Sequence, residues 1–224
     1  MTVKTDLDNG WSRRGLIRCA VLLAGTAAAF AVPRPACAKD PIAVLAATGR
    51  PGIGTLEAIA GGVKVERDGV PLPVAQGDAL IVGDTVLTEG TGRALLQLGN
   101  ATQLRLGGDT QLRIDHFTPG GEAALTLRDG AMLYTRSARG QQPPLSVTAP
   151  FGEVAGRAGR LFVGRVEGQY GVALMRGSVK VEAGGDTLNL EPGDAVDIPR
   201  NGVMPAVRQP WSEARIRLAL SLVE

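Results

Sequence analysis

From Gly61 onward apolar side chains recur at every second position, a period that only an extended strand converts into one buried face. Val63 and Val65 begin it, followed by Leu96 and Leu98, Leu104 and Leu106, Leu112 and Ile114, and Leu125 and Leu127. The pattern resumes at Val172 and Leu174, Val179 and Val181, Leu188 and Leu190, and Val196 and Ile198. Positions 96, 104 and 112 stand eight apart, as do 188 and 196. Strands this short and close cannot each carry a core, which predicts an all-β domain rather than alternating helices and strands. A coiled, solenoid-like sheet and a sandwich both fit, because both read as short alternating strands.

Turn chemistry agrees. Gly99-Asn100 lies between two alternating runs and suits a two-residue hairpin with positive backbone angles. Asp68-Gly69, Asp129-Gly130, Gly107-Gly108-Asp109 and Gly184-Gly185-Asp186 mark further reversals. Longer exposed loops are expected from Pro119 to Glu122 and from Gly140 to Pro144. Inward Leu, Ile and Val residues, at about 1.5–3 kcal/mol each when fully buried, are numerous enough to hold the domain with few aromatics. Beyond them, Pro210-Trp211-Ser212 precedes Ile216, Ala219, Leu220 and Val223, the spacing of one helix face. A closing helix anchored by Trp211 is predicted. Lys39 to Ala60, small and apolar with Pro41 and Pro51, reads as a linker, with a short strand or helical turn near Ile42 to Ala47.

The first 38 residues carry the parts of an export signal in order: a basic start, an uncharged apolar stretch from Cys19 to Val32, and a small-residue exit at Ala36-Cys37-Ala38. Fourteen apolar residues fall short of the ~20 that span a bilayer, so no permanent membrane span is expected after processing. The pair Arg13-Arg14 before this stretch reads as a twin-arginine signal for folded-protein export, with a general secretory signal as the alternative. Cleavage between Ala38 and Lys39, with Ala36 and Ala38 as the small-residue pair, delivers the chain to the periplasm. The expected organisation is a signal over 1–38, a linker over 39–60, a β domain over 61–201 and a tail with the helix over 202–224.

Of 24 basic and 22 acidic residues in the whole chain, removal of the signal leaves 19 and 20. The resulting charge near −1 lacks the basic footprint of a nucleic-acid binder. Cys19 and Cys37 both precede the cut, so neither a disulfide nor thiol chemistry is expected. His116, the sole histidine, cannot supply a zinc, iron or copper shell, and Asp115 beside it points to the opposite face of a strand. Asp78, Asp84, Asp109, Asp129, Asp186 and Asp194 each adjoin glycine, which turn geometry explains without a glycosidase pair or a calcium loop. No catalytic residue, cofactor or metal is expected. In Gly156-Arg157-Ala158-Gly159-Arg160, two arginines among small residues form either a solvated turn or a loop that presents guanidinium groups to a carboxylate or phosphate. Arg157, Arg160 and Phe162 are its candidate contact residues.

Several runs together resemble the FecR domain, the periplasmic module of the iron-dicitrate sensor family. They are Val82 to Thr88, Ala94 to Leu98, Leu104-Arg105-Leu106 and Leu127 to Gly130, then Thr148-Ala149-Pro150, Gly159 to Phe162, Val172 to Val179 and Leu190 to Ala195. The resemblance covers about Ala60 to Asn201. It implies an all-β, non-catalytic domain used in envelope signalling or assembly. Sensors of that family carry a sigma-binding helical domain before a membrane helix, whereas twelve residues precede Arg13, so a stand-alone exported form is expected. The family's Gly-Thr-x-Phe stands here as Gly159-Arg160-Leu161-Phe162.

The expected function is an exported binding or scaffold module with an envelope protein or polysaccharide as partner. A signalling component that modulates iron uptake or sigma-factor regulation is the alternative. A cupin-like enzyme, suggested by Leu190 to Ile198, would need histidines that the chain lacks.

Overall fold

The computed structural model describes residues 50–137, 142–199 and 210–224. They form thirteen strands and one helix: β1 (Gly52–Arg67), β2 (Val70–Pro73), β3 (Ala79–Ile81), β4 (Thr85–Leu98), β5 (Thr102–Leu106), β6 (Gln111–Phe117), β7 (Ala123–Asp129), β8 (Ala131–Arg136), β9 (Leu145–Ala149), β10 (Gly152–Val166), β11 (Gln169–Ala183), β12 (Asp186–Leu190), β13 (Ala195–Ile198) and α1 (Glu213–Ser221). Every alternating pair identified above lies in a strand, and its members line the apolar interior. Leu96, Leu104, Leu112, Leu127, Val172 and Val181 are fully buried there.

Two long bent ribbons carry the fold. In the first, β1 pairs with β4 along most of its length, bulging near Leu56 and Ala60. In the second, β10 pairs with β11 and bulges near Arg160. One strand of each ribbon then supports two shorter strands in succession. Strand β4 pairs with β6 at its start and with β5 at its end, and β10 pairs with β9 at its start and with β8 at its end. The ring closes at two seams, the antiparallel pair β5·β8 and the parallel pair β7·β9. Seven strands therefore close on themselves, β10-β8-β5-β4-β6-β7-β9 and back to β10, around one apolar core. This resolves the architecture that alternation alone left open.

The ends of the ribbons are built alike. Residues 65–81 and 181–197 align without a gap at an offset of 116, with seven identities. Each copy has a long strand, a two-residue turn and a short antiparallel strand. Asp68 and Gly69 join Arg67 to its partner Val70 with φ of 50° and 80°. Gly184 and Gly185 join Ala183 to Asp186 with 60° and 93°. Paired left-handed angles match the twist of the strands they connect. A Gly-Asp turn follows in each copy. The Asp78 carboxylate accepts from Ala75 N at 2.8 Å, while Gly77 N and Asp78 O bracket Leu56 of β1 at 2.8 and 2.9 Å. Asp194 accepts from Glu191 N at 2.9 Å, and Gly193 N and Asp194 O bracket Leu174 of β11 at 2.8 and 3.0 Å. The motif occurs a third time at Gly83-Asp84, which brackets Ile114 of β6. The carboxylate does the work of a backbone turn, and the glycine supplies φ of 92–96° in all three.

A second apolar cluster lies outside the ring. Leu133, Phe162 and Ala173 face Trp211, Ala219 and Val223, so the strands at this place are buried on both faces. Ser212 caps α1 by accepting from Arg215 N at 3.3 Å. Trp211 meets Phe162 edge to face with ring centroids 6.0 Å apart, as a closing helix anchored by this residue requires.

Three local expectations are corrected. The stretch 52–60, which small residues made look like linker, is the first part of β1: its Gly and Ala residues fit where β4 approaches closely. A side chain at Gly54 would collide with the β4 backbone. The β4–β5 connection has three residues, Gly99 to Ala101, rather than two, with Leu98 opposite Thr102. The segment Gly156 to Arg160 is neither a turn nor a loop but lies inside β10, where the bulge accommodates its small residues. Arg13, Arg14, Ala36, Ala38 and the stretch Ile42 to Ala47 lie outside the described residues.

Candidate functional site

Registers across β10, β9, β7 and β6 place Ala155, Ser146, Ala124 and His116 in one row. Leu145 and Val147, the neighbours of Ser146, face the core, so this row lies on the outer surface. It floors a groove of about 490 Å³ whose further walls are Pro144, Arg157 and Glu122. His116 Nε2 lies 3.1 Å from Thr118 Oγ1 and 3.3 Å from Glu122 Oε1. Ser146 Oγ donates to Glu153 Oε1 at 2.6 Å. Arg157, exposed at the other end, donates to the Gln142 carbonyl at 2.7 Å. The hydroxyl of Ser146 is thus committed to a carboxylate, and no imidazole stands against it as a base.

The three candidate contact residues diverge. Arg157 borders this groove. Phe162 is fully buried beneath Trp211, so it belongs to the core and cannot touch a partner. Arg160 is half-buried and sits directly opposite Arg176 on β11 and opposite Thr135 on β8. The residue after Thr135 is Arg136, which sequence reasoning passed over.

Arg136 ends β8, shares the inward-facing parity of Met132 and Tyr134, and is 2% exposed. Its Nη1 donates to the Gly121 carbonyl at the long distance of 3.4 Å, and its Nε is buried without a partner. The Tyr134 hydroxyl is likewise buried and unpartnered. Arg176 reaches across β10, its Nη2 donating to the carbonyls of Arg136 and of Gly159, the latter at 3.1 Å. That path exists because residue 159 is glycine: a methyl group there would collide with the Arg176 guanidinium. Arg160 Nε is buried without a partner too. Arg160 and Arg176 thus stand opposite one another while Arg136 points into the interior, and among the described residues none of the three has a carboxylate partner.

Arg67 shows the alternative arrangement. It is as deeply buried, at 4%, but Asp84 at 0% exposure takes its Nε and Nη2 at 2.7 Å each. Asp84 also accepts from Ile81 N at 2.9 Å. That pair is a structural clamp between the end of β1 and the turn before β4.

Among the described residues, no group of three or more His, Cys, Asp or Glu is placed to hold a metal ion. No helix among them is long and apolar enough to cross a membrane.

Residues 84–180 match the model of a family described as FecR protein. The match runs from the Asp84 turn to Lys180 of β11 and contains the groove and all three central arginines. No curated protein matches the chain. Two crystal structures of a candidate anti-sigma factor from Parabacteroides distasonis are similar at 15% and 16% identity, each with a TM-score of 0.49, over 59% of this chain. The similarity spans 62% of that protein's own chain, less than two thirds of its length.

Proposed function

We propose that this chain, whose residues 84–180 are a FecR domain, is an exported, non-catalytic module of envelope signalling that works by binding another component from the periplasmic side. The observation that carries the reading is the family match, because domains of that family are regulatory. Two features support it. The export signal at 1–38 addresses the protein to the periplasm, with Arg13-Arg14 favouring the twin-arginine route. The groove across β6, β7, β9 and β10 offers a small-residue floor with Arg157 at one end and His116 with Glu122 at the other. A protein segment fits such a surface better than a polysaccharide does, since no Phe, Tyr or Trp is among the residues that line it for stacking against sugars.

The family match also favours a second reading, in which the bound component belongs to a sigma-factor or iron-uptake circuit. One experiment in intact cells addresses both. A photo-crosslinking residue at 124 or 155, on the groove floor, is expected to yield one discrete adduct with an envelope protein, and deletion of the gene is expected to change sigma-dependent transcription. An adduct without a transcriptional change leaves the scaffold reading and removes the circuit. Failure to find both the adduct and the transcriptional change overturns the proposal. Export is checked separately: replacing Arg13 and Arg14 by Lys should leave unprocessed protein in the cytosol.

A further inference from the structure

One row of side chains crosses the outer face of the sheet, and α1 covers only part of it. Strand registers run from Ala195 through Ala173 and Phe162 to Leu133, on β13, β11, β10 and β8. They continue through Arg105 of β5 and Leu95 of β4 to Ala58 of β1. The first four are buried with Trp211, Ala219 and Val223. Past Leu133 that cover stops. Leu95 lies on the outer face, since its neighbours Ala94 and Leu96 face the core, and it is half-buried while Ala58 is exposed. A hollow of about 250 Å³ lies there, lined by Ala58 and Leu95 together with Arg93, Arg105, Val223 and Glu224.

The charge at the rim is unanswered. Arg93 donates to the carbonyls of Thr91 and Gly92, at 3.2 and 2.9 Å, and to no carboxylate among the described residues. The exposed Arg105 guanidinium makes no hydrogen bond or ion pair with them, and the Glu224 side chain beside it pairs with neither arginine. We propose that this hollow docks a segment of a partner protein in which an aliphatic side chain is flanked by carboxylates. The aliphatic group packs on Leu95 and Ala58, continuing the cover that α1 begins, and the carboxylates take the guanidinium forks of Arg93 and Arg105. Small-molecule sites measure about 300–1,000 Å³, so a smaller hollow suits one side chain better than a whole cofactor. The surface shares no lining residue with the groove bordered by Arg157, so the two sites stand or fall separately.

The test titrates the full chain with three capped hexapeptides: Glu-Glu-Leu-Leu-Glu-Glu, the same peptide with Lys for every Glu, and the same with Ala for both Leu. Calorimetry and NMR of the Leu95 methyl and Arg105 Nε–H resonances read the binding. The acidic leucine peptide should bind saturably and move both signals, and each of the other two should bind at least about fivefold more weakly. Arg105→Glu should weaken the acidic peptide about fivefold or more, the upper worth of one exposed ion pair, and should strengthen the lysine peptide. Arg113→Gln, at an exposed arginine already paired with Asp115, should change neither. The proposal is overturned by absence of saturable binding at millimolar concentration, by equal binding of the acidic and lysine peptides, or by an Arg105→Glu variant that binds at full strength. Signals that move at His116 and Ala124 instead would assign the peptide to the other groove and overturn it too. So would light scattering that shows a dimer whose formation buries Leu95 and which excess acidic peptide does not dissociate, because a second copy would then be the occupant.

Discussion

Replacing Arg67 by Met tests the account of the Arg67–Asp84 clamp. The variant keeps the stem's apolar volume but removes both 2.7 Å hydrogen bonds from Asp84, leaving that fully buried carboxylate with the Ile81 N–H. Breaking a buried ion pair from one side costs about 3–5 kcal/mol, because an uncompensated charge stays behind. For a domain of this size about 2–4 °C of melting temperature accompanies each kcal/mol, so the midpoint should fall by about 6–20 °C. Urea unfolding followed by Trp211 fluorescence measures the same loss without heating. The reasoning also fixes the double variant. Arg67→Met with Asp84→Asn buries a neutral amide in place of a charge, so it should be more stable than Arg67→Met alone. A loss below about 1 kcal/mol for Arg67→Met, or a double variant no better than the single one, would refute the claim that an orphaned carboxylate sets the cost.

Three further outcomes are expected. Gly171→Ala puts a methyl group into the Trp211 ring, so α1 should lose its anchor; Trp211 is the sole tryptophan after Trp11, and its emission should shift to the red while far-ultraviolet dichroism stays β-like. Unchanged emission would mean that the helix does not rest on this ring. Burial foremost, and then the negative charge of Asp129, raise the Tyr170 phenol above its ordinary value of 10.0, while the Arg165 guanidinium opposes the shift. The folded state then holds that proton longer than the unfolded one, so stability is fully present below about pH 10 and declines as pH rises further; Tyr170→Phe should flatten the decline in unfolding experiments across pH 9–11, and an equal decline in both proteins would contradict it. Gly77→Ala forces a side chain into φ of +92°, and an αL penalty of about 1–2 kcal/mol should appear in urea unfolding.

Much of the fold was legible because its strands have one wet face. Leu104 and Leu106, or Val179 and Val181, alternate with polar residues, and the period of two exposes them. Legibility failed where that contrast disappears. In β8, Ala131, Leu133 and Thr135 face one way and Met132, Tyr134 and Arg136 the other, with apolar cover on both sides, so neither face announces itself. An arginine at the end of such a run reads as a surface residue, which hid Arg136. In β1, Ile53, Leu56 and Ile59 stand three apart among Gly and Ala residues, so the period of two is broken there, where the strand bulges against β4. Phe162 looked like a contact residue because its neighbours Arg160 and Gly159 look like a turn, and only the docking of Trp211 shows that it is core. The repeat of 65–81 at 181–197 was a readable signal, since Gly77-Asp78 and Gly193-Asp194 sit at equal distances from their preceding turns.

Closure of the ring at two seams has a consequence for anything shorter than the whole β domain. Strands β5 and β7 belong to the first ribbon's half, and their partners β8 and β9 lie beyond it in sequence. A product that stops near residue 130, whether from a nonsense codon, a stalled ribosome or a protease, keeps two rows of backbone donors and acceptors with nothing to satisfy them. Such rims recruit any extended chain nearby, another copy above all. Truncated forms should therefore precipitate rather than persist as half-active fragments, and the gene should tolerate missense changes at the surface far better than premature stops.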